Sequence, residues 1–208
     1  MLGFFVLLIF SAKVSGSHYN PAATLASMLR RDTGRFSRPL GIAYILAQVV
    51  GGFLGGVVAW VLIPGRIPFG SGHDTVGQAV LSEFIGTFLL AFLYLTQTEE
   101  TTKLSKDPAI TTLIIAASYI ASLLMVSAPN EYLASLNPAI AVGASFSQLY
   151  SSDARAISRI WLYGLIPFVG GLIAVIFFEI IYKKVAQTIK ETEDDVDVGI
   201  LDKESANE

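Results

Sequence analysis

Two asparagines stand in the same tripeptide, Asn20-Pro21-Ala22 and Asn137-Pro138-Ala139. A carboxamide makes and breaks no covalent bond; what it offers is two N–H donors and one strong acceptor. Asn is also a favoured helix N-cap, and Pro fits the first helical position, so each tripeptide reads as a helix start. Small polar residues precede the copies, Ser15-Gly16-Ser17 and Ala134-Ser135. Each opens an apolar run of about ten residues, half of the roughly 20 a membrane span needs. Broken backbone at membrane depth survives only where protein buries it or it lines a wet cavity. Paired half-helices therefore point to a buried polar feature.

The remaining polar residues offer little chemistry. There is no Cys, which removes thiol catalysis, disulfides and thiolate metal sites together. No phosphate-binding loop, metal cluster or nucleophile–base set occurs, so an enzyme, a metal and a cofactor are not expected. Glu83 is the one carboxylate deep in a span, and a proton relay is one reading of it. His18, two residues before Asn20, reads either as a pH sensor or as a static hydrogen bond supporting the loop. Glu179 falls near the end of the last span, at the interface, and His73 in an exposed loop.

The elements that must position these residues follow from hydropathy. The 208 residues are 53% hydrophobic and 15% charged, with a mean hydropathy of +0.60, which signals several membrane spans. Residues 2–14 read as a helix of about 20 Å, short of the roughly 30 Å hydrocarbon core, whose start and an earlier span are missing. A signal-peptide core is the competing reading, but no basic segment leads it. Arg30 to Pro39 is an arginine-rich loop, placed in the cytoplasm by the positive-inside rule. Complete spans are expected over 40–63, 78–96, 109–128 and 157–182. The expected domain is 1–182, with halves 1–63 and 78–182, followed by an acidic disordered cytoplasmic tail, 183–208. No basic face exists outside the short loops, so nucleic acid is not a partner.

The two halves repeat. Residues 46–52 (LAQVVGG) align with 165–171 (LIPFVGG), pairing Gly51 with Gly170 and Gly52 with Gly171. An odd number of spans separates the tripeptides, so the halves insert with opposite orientation. Inverted repeats whose broken helices meet at the midplane describe a transport fold. In that geometry each half-helix aims about half a positive charge at the midplane. The amides of Asn20 and Asn137 would donate into a lumen, and carbonyls of residues 16–19 and 134–136 would accept from a permeating molecule.

The stretch Ser15-Gly16-Ser17-His18-Tyr19-Asn20-Pro21-Ala22 resembles the first signature of the aquaporin, or major intrinsic protein, family. Tyr44 to Gly52 resembles its third span, Glu83 to Phe88 its fourth, and Trp161 to Gly171 its sixth. The resemblance implies an all-α membrane protein with an inverted repeat, two re-entrant half-helices and about five spans, shortened at the N-terminus. It implies a passive pore for water or small neutral solutes such as glycerol, urea or ammonia, in a bilayer-embedded homotetramer. The two tripeptides would form the pore centre, with Gly16, Ser17, His18, Tyr19, Glu83, Ser135 and Leu136 lining or supporting it. Glu83 would hold backbone N–H groups of the broken segment near Asn137.

The chain departs from the family pattern at its filter. Arginine commonly follows the second tripeptide; Ile140 stands there, and Met125 and Ala134 fall at the neighbouring filter positions. Glycerol-type members usually carry an aspartate next, where this chain has Ala141. An apolar filter of Met125, Ala134 and Ile140 is expected, and apolar rings also gate by dewetting. Two other functions compete with a channel: an ion-coupled secondary transporter, which needs paired acids in the spans, and a non-conducting partner in membrane assembly or adhesion.

Overall fold

The structure is a computed structural model and describes residues 2–32, 36–63, 75–127, 134–149 and 158–193. Among these residues all regular structure is helical: α1 (Leu2–Ser15), α2 (Pro21–Met28), α3 (Arg38–Leu62), α4 (Val76–Thr98), α5 (Pro108–Val126), α6 (Pro138–Leu149) and α7 (Ile160–Phe177). Four helices are long and apolar enough to cross a membrane, α3, α4, α5 and the one beginning at Ile160; α2 and α6 are the half-helices.

The helix starts are set locally. Ser37, Thr75 and Asp107 cap α3, α4 and α5, each accepting a backbone N–H, and Thr75 with Gln78 forms a reciprocal capping box. Pro39 and Pro108 occupy first-turn positions, where a missing N–H costs nothing. These caps place the span boundaries within two or three residues of the hydropathy reading.

The last helix runs further than the sequence indicates. It continues through a π-helical turn, Phe178–Tyr182, to Glu193, a 34-residue rod beginning at Ile160. The expectation of a disordered tail from residue 183 is therefore corrected for 183–193; residues 194–208 lie outside those described. Two contacts hold the extension. Lys183 Nζ lies 3.3 Å from the Glu99 carboxylate, and Glu179 Oε1 accepts the backbone N–H of Arg31 at 3.2 Å. Good helix formers (Lys, Ala, Gln, Glu) then carry the coil outward. Glu179 is buried against its protein neighbours. The loop around His73, Pro129-Asn130 and the 151–154 loop lie outside the described residues.

Packing follows the inverted repeat, with one asymmetry. α4 lies against both α5 and α7, while α1 and α3, like their counterparts α5 and α7, do not touch each other. α1 packs on α5, while α3 packs on α6 and α2. Only 6% of the apolar window of α3 is buried, against 39% for the equivalent helix from Ile160 and 50% for α4. The glycines record the same difference. A methyl group at Gly170 would meet Phe84 O of α4 at 2.8 Å, whereas Gly51 has nothing within 4 Å.

Candidate functional site

The half-helices α2 and α6 meet N-terminus to N-terminus through their asparagines. Asn20 Oδ1 accepts from Ala22 N at 2.9 Å, and Asn137 Oδ1 accepts from Ala139 N at 3.0 Å and Ile140 N at 3.4 Å. Both side chains are thus N-caps, satisfying backbone donors that the first turn of any helix leaves unpaired. Their amide groups reach across the repeat. Asn20 Nδ2 donates to Leu136 O and Asn137 Nδ2 to Tyr19 O, each at 2.8 Å.

The accepting carbonyls belong to the residues immediately before each asparagine, and the backbone there is turned by an uncommon conformation. Tyr19 (φ 42°) and Leu136 (φ 50°) both occupy the left-handed region, as do Gly16 and Ser17. Non-glycine residues pay about 1–2 kcal/mol for this, so the surrounding bonds must hold them. Those bonds are present. In the second half Glu83 accepts from Ser135 N (2.6 Å), Leu136 N (2.9 Å) and Ser135 Oγ (3.1 Å) while fully buried on α4. Tyr94 Oη donates to Gly16 O at 2.9 Å, and Tyr119 Oη to Ser135 O at 3.3 Å.

These contacts revise the expected division of labour. One amide hydrogen of each asparagine, a group expected to donate to a permeating molecule, joins the two repeats. Four of the carbonyls expected to accept from such a molecule, those of Gly16, Tyr19, Ser135 and Leu136, already accept from protein donors. An oxygen with two lone pairs can take a further bond, so the ladder is shared rather than free.

The glycines of the aligned spans explain how the half-helices come so close. Gly171 of α7 packs on the Ala22 carbonyl, where a Cβ would lie 2.8 Å from the oxygen, and Gly52 of α3 packs in the same way on Ala139. Each tripeptide is thereby clasped by a glycine of the opposite half. Pro21 and Pro138 begin α2 and α6, and Ala22 and Ala139 are buried behind them.

His18 Nδ1 lies 3.2 Å from Thr24 Oγ1, which also accepts from Gln48 Nε2 at 3.0 Å. Its ring packs against Phe36, Tyr44 and Tyr94, with the Phe36 centroid at 4.6 Å. Of the three residues expected to form a filter, Met125 and Ile140 are about half exposed (55% and 43%), while Ala134 is buried with its N–H on Ser127 Oγ at 3.0 Å. Ile140 and Asn137 border a cavity of about 500 Å³ that is also lined by Phe4 of α1, Gly51 of α3 and Tyr19 of the segment before α2.

Sequence reasoning missed an ionic cluster where the ends of α2 and α4 meet the side of the last helix. Glu99 lies 2.7 Å from Arg30 Nη2 and 3.3 Å from Lys183 Nζ, with all three side chains largely buried. Arg30 was legible only as one charge among the loop arginines, and Glu99 as part of a polar turn.

Residues 1–178 match the model of the family described as Major intrinsic protein. The chain is 30% identical over 192 residues to the probable aquaporin PIP2-8 of Arabidopsis thaliana, covering 88% of this chain and 66% of that protein. It is 27% identical to aquaporin Z of Photorhabdus laumondii, over 77% of this chain and 70% of the relative. The X-ray structure of the aquaglyceroporin from Plasmodium falciparum superposes with a TM-score of 0.70 at 20% identity, covering 90% of this chain and 83% of that one. The chain belongs to the major intrinsic protein family and has its helical fold. It is a multi-pass membrane protein that spans just under two thirds of the length of the Arabidopsis relative.

Proposed function

We propose that the protein is a passive channel for water and small neutral solutes, with its constriction at Asn20 and Asn137. The observation that carries this reading is the reciprocal amide bonding that sets two half-helix N-termini face to face. Each terminus contributes about half a positive charge, so a cation is repelled. A neutral solute exchanges its bulk hydrogen bonds for the free asparagine N–H groups and the remaining carbonyl lone pairs, which offsets several kcal/mol of dehydration. An apolar filter of Met125, Ala134 and Ile140 lacks a fixed charge and admits small neutral solutes beside water. Eleven of the fourteen Lys and Arg residues fall on the side of the C-terminal tail, which puts that side in the cytoplasm. A homotetramer, each protomer with its own pore, is the expected assembly.

Stopped-flow shrinkage of proteoliposomes in sucrose, glycerol and urea gradients tests the reading, with Asn137→Asp as the control. Wild type should exceed both the variant and empty vesicles. Equal rates for all three would overturn the channel and leave a non-conducting partner.

A further inference from the structure

A second polar site lies where α1 ends against α5 and the turn joining α4 to α5. A cavity of about 320 Å³ opens there, walled by Lys13 of α1, Gln97 of α4, Lys103 and Lys106 of the turn, and the first residues of α5. That is roughly ten times the volume share of one water molecule, too large a space for a lone ion. Glu100 is the one carboxylate in the wall; it pairs with Lys103 at 2.7 Å and is itself mostly in solvent. Asp107 stands nearby but is engaged in capping Ala109 N at 2.7 Å. Two positive charges, from Lys13 and Lys106, are thus left over the carboxylate in the wall. Gln97 Oε1 is buried in the same wall with no hydrogen-bond partner, an acceptor placed for a hydroxyl.

The flanks of this cavity are apolar. Phe10 and Val14 of α1 and Ile110 and Leu113 of α5 are exposed, and α1 and α5 pack along one another beneath them. A free anion would use none of that surface. A molecule with an anionic head and hydrocarbon chains would use both, and basic pockets between helix ends are where such headgroups bind.

We propose that the Lys13–Lys103–Lys106 cleft binds the phosphate- and hydroxyl-bearing headgroup of an anionic phospholipid, with its acyl chains against the outer faces of α1 and α5. The cavity reaches Gly16 and Ser17 of the first broken segment but includes neither asparagine, and Glu100 in its wall adjoins Glu99 of the Arg30–Glu99–Lys183 cluster. The proposal holds whether or not the pore conducts.

Native mass spectrometry of the full chain in detergent, titrated with phosphatidylinositol 4-phosphate or phosphatidylcholine, provides the test. Wild type should retain the anionic lipid preferentially. Lys13→Gln with Lys106→Gln should weaken it by about fivefold for each lysine removed. Lys13→Arg with Lys106→Arg should retain it, and Lys184→Gln with Lys190→Gln, which removes the same charge elsewhere, should leave it unchanged. Equal weakening in both Gln pairs would reduce the effect to general electrostatics and overturn the site. Displacement of the lipid by millimolar inorganic phosphate would overturn it too, in favour of a free-anion site.

Discussion

Gly52 of α3 packs directly on the carbonyl of Ala139, leaving no room for a methyl group between helix and tripeptide. Its neighbour Gly51 points into open space on the same helix. The two residues are identical in type and adjacent, so they separate packing from propensity. Gly52→Ala is expected to cost about 1–3 kcal/mol through overpacking against a backbone that cannot yield. Gly51→Ala should be neutral or stabilising, because Ala is the better helix former by about 1 kcal/mol. Thermal unfolding of both variants in detergent checks this; equal melting temperatures would count against the close approach.

Glu83 accepts three hydrogen bonds, two of them from backbone donors in the broken segment before Asn137. Glu83→Gln leaves one oxygen to accept and turns an NH₂ group toward N–H donors. Each buried donor left unpaired costs about 1–3 kcal/mol, so the variant should unfold at clearly lower temperature. Solute flux should fall with it, since Leu136 O is the acceptor for Asn20. A variant as stable as wild type would mean the carboxylate is not the support of this segment.

Tyr19 is held at φ 42°, a conformation Asn tolerates and β-branched residues do not. Tyr19→Val should therefore lose about 1–2 kcal/mol more than Tyr19→Asn, although Val is nearer in hydrophobicity. Differential scanning of the two proteins reads the difference directly, and the reverse order would remove the left-handed backbone as its cause.

Ile140 directly follows the second tripeptide and is half exposed beside Asn137. On the channel reading, Ile140→Arg places a fixed charge and five donors in the constriction. Glycerol flux should fall relative to water flux in the same proteoliposomes. An unchanged ratio would reject Ile140 as a filter residue.

Much of this architecture was legible because it rests on patterns that repeat. The paired tripeptides, the half-length runs behind them and the two Gly-Gly spans are each local, and the structure places them in helices, the second Gly-Gly span running on past its expected end. What escaped was whatever depends on a partner distant in sequence. Nothing local to Asn20 says that its amide will reach Leu136, and nothing in Tyr19 or Leu136 marks a left-handed residue, for which glycine is the usual signal. The extension beyond Tyr182 was hidden because Lys183-Lys184 reads as the end of a span. Only the Glu99 carboxylate on another helix makes Lys183 part of the fold.

The bond from Asn20 to Leu136 spans 116 positions of the chain. During translation at about 5–20 residues per second, α2 would emerge roughly 6–23 seconds before its acceptor exists. Through that interval the amide needs some other partner, water or the insertion machinery. The bond that joins the two half-helices can therefore close only after the second half has been made.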